Sequence, residues 1–138
     1  MRSACLKIQK RAWRNEDARP FEESVFFSVW VNDESLTTQK LNYNIHALKM
    51  REQKAYTIKS REFAEAFRSR FKPFEALWPN VSVSFGPLTL MEGWIPIDTK
   101  HFEKEIADMA YRFIDIHPII DDLLRERKNP RFLRKTLT

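Results

Sequence analysis

The first candidates for chemistry are aromatic, amide and imidazole side chains in two short segments of alternating polarity. In SVFFSVWVND, at 24–33, every second residue is apolar and the intervening positions include two more aromatic rings. In LNYNIHAL, at 41–48, the intervening positions carry two amides and one imidazole. Rings beside such groups can stack on a flat ligand and hydrogen-bond its edge, although the polar face of an antiparallel sheet is often simply solvated. The predicted ligand-binding residues are Phe26, Trp30, Asn42, Asn44 and His46.

Two further candidates lie in NVSVSFGPLTLMEGWIPID, at 80–98, which contains both glycines of the chain. Alternation in its second half fails at Gly93, which is typical of a β-bulge, and bulges often direct side chains toward a site. Glu92 and Trp94 flank this glycine, so we add both to the predicted ligand-binding residues. A carboxylate in water on an edge strand would explain the same pattern, and Pro96, which has no ladder donor, favours an edge position.

The basic charge of the chain suggests a second function, nucleic-acid binding. Residues 49–72 contain eight basic and three acidic side chains, and cations beside stacking rings are typical of proteins that bind single strands. The sequence contains no RNP-like aromatic motif, no glycine-bearing KH loop and no Cys/His finger, so charge and aromatic residues are the whole signal. The residues of this alternative are Lys49, Arg51, Lys54, Lys59 and Arg61.

Catalysis has weaker support in the sequence. Asp33 and the Glu-x-Lys of EQK, at 52–54, match in form the carboxylates and lysine of metal-dependent nucleases, but in a chain rich in Glu and Lys this spacing arises by chance. Cys5 is in no catalytic motif, no serine sits in a Gly-x-Ser-x-Gly elbow, and two glycines cannot build a phosphate loop or a dinucleotide fingerprint. We therefore expect no cofactor, and metal-dependent hydrolysis is the third hypothesis.

His117 and Asp121 form the remaining pattern of interest. They are four residues apart, which on a helix is the spacing of two ligands of one metal ion. Pro118 between them argues against a regular turn, and an ion pair on a helix surface explains the same spacing. We predict no metal site.

Strands and a first helix must position these residues. Aromatic residues at spacings of three and four, from Phe63 to Trp78, predict an amphipathic helix over 60–72 that restarts at Pro73. Alternating polarity predicts four strands, at 24–31, 41–47, 81–85 and 88–97.

A second, longer helix completes the predicted fold. Apolar residues step by three and four from Phe102 to Leu124, after Asp98 or Thr99 as the N-cap, and Pro118 is expected to kink or divide this helix. The order of elements is then ββαββα. This order predicts a two-layer α+β fold in which an antiparallel sheet of about four strands has both helices packed on one face.

The composition of the 138-residue chain is that of one globular domain. Apolar residues make up 43%, and eleven Phe and four Trp supply large side chains for a core. Charge patterning divides the chain into an N-terminal arm at 1–23, a single α+β domain at 24–128 and a basic C-terminal tail at 129–138. With one cysteine, no signal peptide and no membrane-spanning run, we expect a cytoplasmic protein that has no membrane partner.

These patterns favour a binding domain over an enzyme. We expect non-catalytic binding of a protein partner or small ligand by the outer face of the sheet, with nucleic-acid binding as the alternative. The net charge of +5 combines basic ends and a basic middle with acidic segments between them. This layout is compatible with a homodimer in which positive and negative surfaces meet, and equally with a monomer.

Overall fold

A computed structural model describes residues 3–17, 19, 24–98 and 100–132. Its regular elements are two strands followed by alternating helices and strands. In order they are β1 Ser3–Ile8, β2 Val25–Asn32, α1 Asp33–Thr37, β3 Lys40–Ala47, α2 Ser60–Phe71, β4 Thr89–Pro96 and α3 Phe102–Arg125. Short 3-10 turns at 11–13, 50–52 and 72–77 connect them.

The four strands form one antiparallel sheet in the order β1-β2-β3-β4. The apolar side of each strand faces the helices, where Phe27 stacks on Phe113 of α3 at 4.4 Å between ring centroids and Tyr43 contacts Trp78 at 5.3 Å. Burial of these rings is the main stabilising contribution of the core. The predicted two-layer α+β class, with both long helices on one face of a four-stranded antiparallel sheet, is confirmed.

Two details of the predicted element order are different in the structure. Residues 3–8, assigned to the arm, form the edge strand β1, and residues 81–85 form no strand but contribute one isolated bridge between Ser82 and Glu92. Val81 and Val83 are nevertheless half-buried against the core. The alternation at 81–85 therefore identified a half-buried extended segment, but pairing with β4 stops after one residue.

The position of the bulge is also corrected. The register between β3 and β4 shifts between Ile45 and His46, which leaves Leu90 as the extra residue, and no shift occurs at Gly93. Gly93 pairs with Tyr43, and a Cβ built on this glycine would lie 2.5 Å from the Tyr43 ring carbon Cζ. The glycine is required because the Tyr43 side chain occupies the space of a side chain at residue 93.

Helix α3 runs through Pro118 without a break, so the predicted division of this helix is wrong. A proline in a helix removes one hydrogen bond to the carbonyl four residues earlier, here that of Ile114. Pro118 and Ile114 both lie on the exposed side of α3, where water can solvate that carbonyl. The predicted N-cap Asp98 is wrong, because the N-cap of α3 is His101, whose ring nitrogen Nδ1 donates to the Asp98 carboxylate. The alternative N-cap, Thr99, lies outside the described residues.

The segment after β1 is anchored to α3 by Asp121. This carboxylate accepts hydrogen bonds from Lys10 Nζ at 2.6 Å, Trp13 Nε1 at 2.8 Å and His117 Nδ1 at 3.0 Å. Burial alone would raise the pKa of Asp121, but these hydrogen bonds and the charge of Lys10 hold it below its ordinary value. The predicted pair of His117 and Asp121 is therefore present. The other two hydrogen bonds to Asp121 come from Lys10 and Trp13 of the N-terminal segment.

The residues after α3 are likewise attached to the domain. The Thr57 amide donates to the Arg127 carbonyl at 2.7 Å, and the Asn129 amide donates to the Ala55 carbonyl at 2.9 Å. Residues 133–138 of the predicted tail lie outside the described part of the chain. Among the described residues, no helix combines the length and apolar character that crossing a bilayer requires.

Candidate functional site

The candidate site is the outer face of the sheet, the face turned away from α2 and α3. Strand register decides its members, because residues directly opposite each other in an antiparallel sheet share a face. Phe26 pairs with His46, Trp30 pairs with Asn42, and the β3 amides pair with Glu92 and Trp94 of β4. The outer face thus brings together all seven predicted ligand-binding residues and one more, Ser28: Phe26, Ser28, Trp30, Asn42, Asn44, His46, Glu92 and Trp94.

Asn44 is the centre of a hydrogen-bonded cluster on this face. Its Oδ1 accepts from the Ser28 hydroxyl, and its Nδ2 donates to His46 Nε2 at 2.9 Å and to Glu92 Oε1 at 3.3 Å. Asn44 and Ser28 are buried, with 3% and 4% of their surface exposed. Because an unpaired buried amide is costly, these contacts fix the Asn44 side chain and, through it, the positions of its three neighbours.

The hydrogen bonds of His46 specify its tautomer. An amide nitrogen can only donate, so Nε2 of His46 accepts from Asn44 and the ring proton lies on Nδ1. Nδ1 faces the Leu88 carbonyl at 3.4 Å, which can only accept. With Nε2 as acceptor and Nδ1 as donor, the imidazole satisfies both contacts.

Aromatic rings surround the cluster, but they differ in exposure. Phe26 is only 3% exposed. Its ring centroid lies 5.3 Å from that of the His46 ring and 5.5 Å from the Lys7 ammonium nitrogen. Trp30 and Trp94 are half-buried. Phe26 therefore belongs to the base of the surface, and the two tryptophans are the rings with area left for stacking.

Sequence reasoning missed Ser28, Lys7 and Lys40 on this face. Lys40 Nζ lies 4.4 Å from the centroid of the Trp94 ring, a cation–π distance. The alternation that selected Phe26 and Trp30 also places Ser28 between them, and it places Lys40 two residues before Asn42. Lys7 could not be found because β1 was assigned to the arm.

Two contacts behind the sheet hold β4 and its loop in place. The guanidinium of Arg68 in α2 donates to the carbonyls of Phe85 at 2.9 Å, Gly86 at 3.1 Å, Thr89 at 3.0 Å and Leu90 at 3.2 Å. The four acceptor residues lie before and after Leu88 in the sequence, and the Leu88 carbonyl oxygen is 3.4 Å from Nδ1 of His46. The loop that orients the imidazole is therefore fixed by one side chain of the helix layer.

The second contact is the Tyr43 hydroxyl, which donates to the Pro79 carbonyl at 2.6 Å beneath Gly93. Burial raises the pKa of the Tyr43 phenol, so it remains a neutral donor. Since Glu92 and Trp94 flank Gly93, the packing of Tyr43 sets how closely these two residues approach the Asn44 cluster.

The basic residues of the nucleic-acid alternative do not join the outer face. Arg51, Lys59 and Arg61 line a groove together with the acidic residues Glu62 and Glu65 on the first turns of α2, which belongs to the opposite layer.

Two other residues of that set lie apart from the groove. Lys54 forms an ion pair with Asp17 at 3.0 Å between Nζ and Oδ2. Lys49 has a positive φ of 51° and precedes the 3-10 turn at 50–52. None of these contacts brings the five residues next to the aromatic rings of the outer face.

The residues of the hydrolase hypothesis are far apart. Asp33 follows the Asn32 end of β2, while the Glu52 carbonyl accepts from Asn15 near the opposite end of that strand. Eight strand residues separate the two ends, roughly 25 Å at about 3.3 Å per residue. Within the described ranges, no group of three or more His, Cys, Asp or Glu residues is placed to hold a metal ion.

The contacts of the Asn44 cluster do not activate the Ser28 hydroxyl. The Ser28 hydroxyl donates to an amide oxygen and not to the imidazole, and the accepting nitrogen of His46 is already used by Asn44. A nucleophile needs a base within hydrogen-bond distance, and this cluster provides none to Ser28. The groups that remain available for a ligand are the Asn42 amide, the outer carboxylate oxygen of Glu92 and the tryptophan rings.

Comparison with protein-family models, with curated proteins and with solved structures finds no match to this chain.

Proposed function

We propose that the protein is a non-catalytic binding domain whose outer face engages a planar group of a protein partner or small ligand. The observation that carries this proposal is the hydrogen-bonded Asn44 cluster next to a cross-strand row in which Asn42 lies between the half-buried Trp30 and Trp94, on a face that α2 and α3 leave uncovered. Trp30 and Trp94 supply stacking area, and Asn42 and Glu92 supply a donor and acceptors for the edge of the bound group. The single cysteine fits a reducing compartment, so we include a cytoplasmic location in the proposal.

The proposal is tested by mapping where planar ligands bind. A fragment set of heteroaromatic amides and carboxamides is titrated into ¹⁵N-labelled protein, and amide shift changes are followed by NMR. We expect the changes to concentrate on the strands of the outer face and to be lost in Trp30→Ala and Trp94→Ala. Tyr111→Ala is the matched control, because Tyr111 is 68% exposed on α3 and its removal should leave binding unchanged. Shift changes confined to other surfaces would contradict the proposal.

Nucleic-acid binding is the second candidate, and one observation favours it. Lys7 and Lys40 lie over aromatic rings of the outer face, an arrangement that could hold a phosphate beside a stacked base. Anisotropy titrations of labelled oligonucleotides at about 50 and 200 mM salt separate the candidates, since phosphate contacts make log affinity fall with log salt. Salt-steep binding that Lys40→Gln weakens would promote this candidate, and absence of binding at low salt would remove it.

A further inference from the structure

The two edges of the sheet are not equally protected. Along the outer edge of β4, the Ser82 and Glu92 amides and carbonyls exchange hydrogen bonds at 2.8 and 3.0 Å, and Asn80 Nδ2 donates to the Trp94 carbonyl at 3.1 Å. Pro96 ends that strand. Among the described residues, no segment pairs with the outer side of β1. β1 is therefore a sheet edge, the position at which another extended strand can add to a sheet.

Of the usual features that keep an edge from pairing, strand β1 has a single lysine and no bulge, proline or inward charge. Its sequence, SACLKI, contains no proline and one charge, and its register with β2 is regular over six residue pairs. The one charged residue, Lys7, lies on the outer face, with its ammonium 5.5 Å from the Phe26 ring centroid. Natural edge strands are commonly guarded by bulges, prolines or inward charges, so this edge is suited to pairing.

An apolar cavity of about 230 Å³ lies beside β1 on the helix side of the sheet. Ala4 and Leu6 line it from β1, Val31 lines it from β2, and Phe102 and Ile106 line it from α3. Leu6 is 41% exposed. The same edge thus presents both an exposed apolar side chain and an apolar hollow, which is the self-complementarity that a two-fold interface requires.

Charge along β1 is polarised in a way that also fits a second copy. At the Ser3 end, Asn32 is directly opposite and is followed by Asp33 and Glu34 of α1. At the Ile8 end the basic residues are Lys7 and Arg11, while Lys10 between them is already paired with Asp121. A two-fold axis through the middle of β1 reverses the second strand, so the basic end of each copy meets the acidic end of the other.

We propose that a second copy of this chain pairs with β1 in antiparallel orientation, to give one continuous eight-stranded sheet. Residues directly opposite each other in paired strands point to the same side of a sheet. The helices of both copies therefore lie on one side of the continuous sheet only if each helix-facing residue of β1 is opposite a helix-facing residue of the second β1. Several registers satisfy this condition, and we propose the one in which Cys5 is opposite Cys5 of the second copy. In this register, each Leu6 is opposite Ala4 of the other copy. Each Leu6 then lies at the cavity that Ala4 lines, and each Lys7 lies opposite Ser3, at the acidic end.

This assembly extends the outer face. Trp30 is opposite Cys5 in the register of β1 and β2, so the two copies of Trp30 lie on either side of the paired β1 strands. The candidate binding surface of each chain would continue into that of the other. Dimerisation itself does not depend on whether the outer face binds a ligand.

The first test is the mass of the protein in solution. At about 100 µM, sedimentation equilibrium should give a weight-average mass approaching twice the 16.6 kDa of the chain, because a Kd near 10 µM leaves about four-fifths of the chains dimeric at that concentration. Leu6→Lys places two charges at the paired edge and should raise the dimer Kd at least about tenfold. Leu77→Lys is the control, because Leu77 is 69% exposed and lies in the 3-10 turn at 72–77. A monomeric wild type, or an unchanged Kd in Leu6→Lys, overturns the proposal.

The second test checks the register without depending on the stability of a variant. Cys5 is the only cysteine of the chain, so a short bis-maleimide should link two wild-type chains rapidly. In Ser3→Cys/Cys5→Ser, the new thiols would be roughly 13 Å apart along the strands, at about 3.3 Å per residue, and linking should slow to the rate of random collision. Equal linking rates for the two proteins would contradict this register, and circular dichroism checks that the substituted protein is folded like the wild type.

Discussion

The Gly93→Ala variant is the sharpest test of how the sheet positions its outer face. The added methyl group would lie 2.5 Å from Tyr43 Cζ, closer still to the Tyr43 hydroxyl oxygen, and 3.1 Å from the Asn80 carbonyl oxygen. Tyr43 is fully buried, and its hydroxyl is held by the Pro79 carbonyl at 2.6 Å. The tyrosine ring must therefore move, and it has no free space to enter.

The expected cost follows from two contributions. Forcing an extra methyl group into a packed core costs about 1–3 kcal/mol, and disturbing a buried hydrogen bond adds about 1 kcal/mol. We expect Gly93→Ala to lower the free energy of unfolding by about 3 kcal/mol, which corresponds to a fall of roughly 10 °C in Tm for a chain of this length.

Urea unfolding followed by tryptophan fluorescence measures this change. Gly86→Ala is the matched control, because a Cβ at Gly86 has nothing within 4 Å, and it should change stability by no more than about 0.5 kcal/mol. In a Tyr43→Leu background the ring is absent, so Gly93→Ala should cost less than about 1 kcal/mol. Equal effects of the two glycine substitutions, or an unchanged cost in the Tyr43→Leu background, would refute the reasoning.

Two further predictions concern contacts that hold the site and the N-terminal segment in place. Arg68→Lys should lower the free energy of unfolding by about 2 kcal/mol, since an ammonium cannot keep four carbonyl contacts; hydrogen exchange should accelerate in residues 85–90 but not in α3. Asp121→Asn should lower stability at neutral pH by about 1 kcal/mol. Because the folded pKa of Asp121 lies below its ordinary 3.8, the wild-type advantage is complete above that pH and is lost as the pH falls through the folded value. An unfolding series from pH 7 to 2 in which both proteins lose stability in parallel would contradict this assignment.

Much of the outer face could be predicted because alternation in a strand determines which side a residue faces. Once Val25 and Val29 are assigned to the core, Phe26 and Trp30 must point to the outer face, because successive side chains of a strand point to opposite faces of the sheet. The same logic placed the amides of β3 correctly. Alternation does not determine exposure, however, and Phe26 proved to be buried because Lys7 and His46 lie against its ring.

The wrong predictions for residues 3–8, residues 81–85 and Pro118 have physical causes that composition and periodicity do not reveal. Strand β1 is short and lies next to charged residues, so Ala4, Leu6 and Ile8 were not recognised as one apolar row. The segment at 81–85 has strand periodicity, but whether it pairs depends on the course of the loop held by Arg68. The helix α3 tolerates Pro118 because that residue faces water, which is a property of the tertiary fold.

The Asn44 cluster is difficult to explain by stability alone. A sheet face can be covered by apolar side chains, and replacing a buried polar pair by apolar groups of similar shape is often neutral or stabilising. Here Ser28 and Asn44 are buried and fully hydrogen-bonded, and their contacts fix one tautomer of His46 and hold Glu92 beside it. At the rim, Asn42 lies between Trp30 and Trp94 in the strand register, and the second oxygen of Glu92 lies in the neighbouring row. A rigid polar centre with available groups at its margin is the organisation that recognition of a planar partner group requires, because little conformational entropy is then lost on binding.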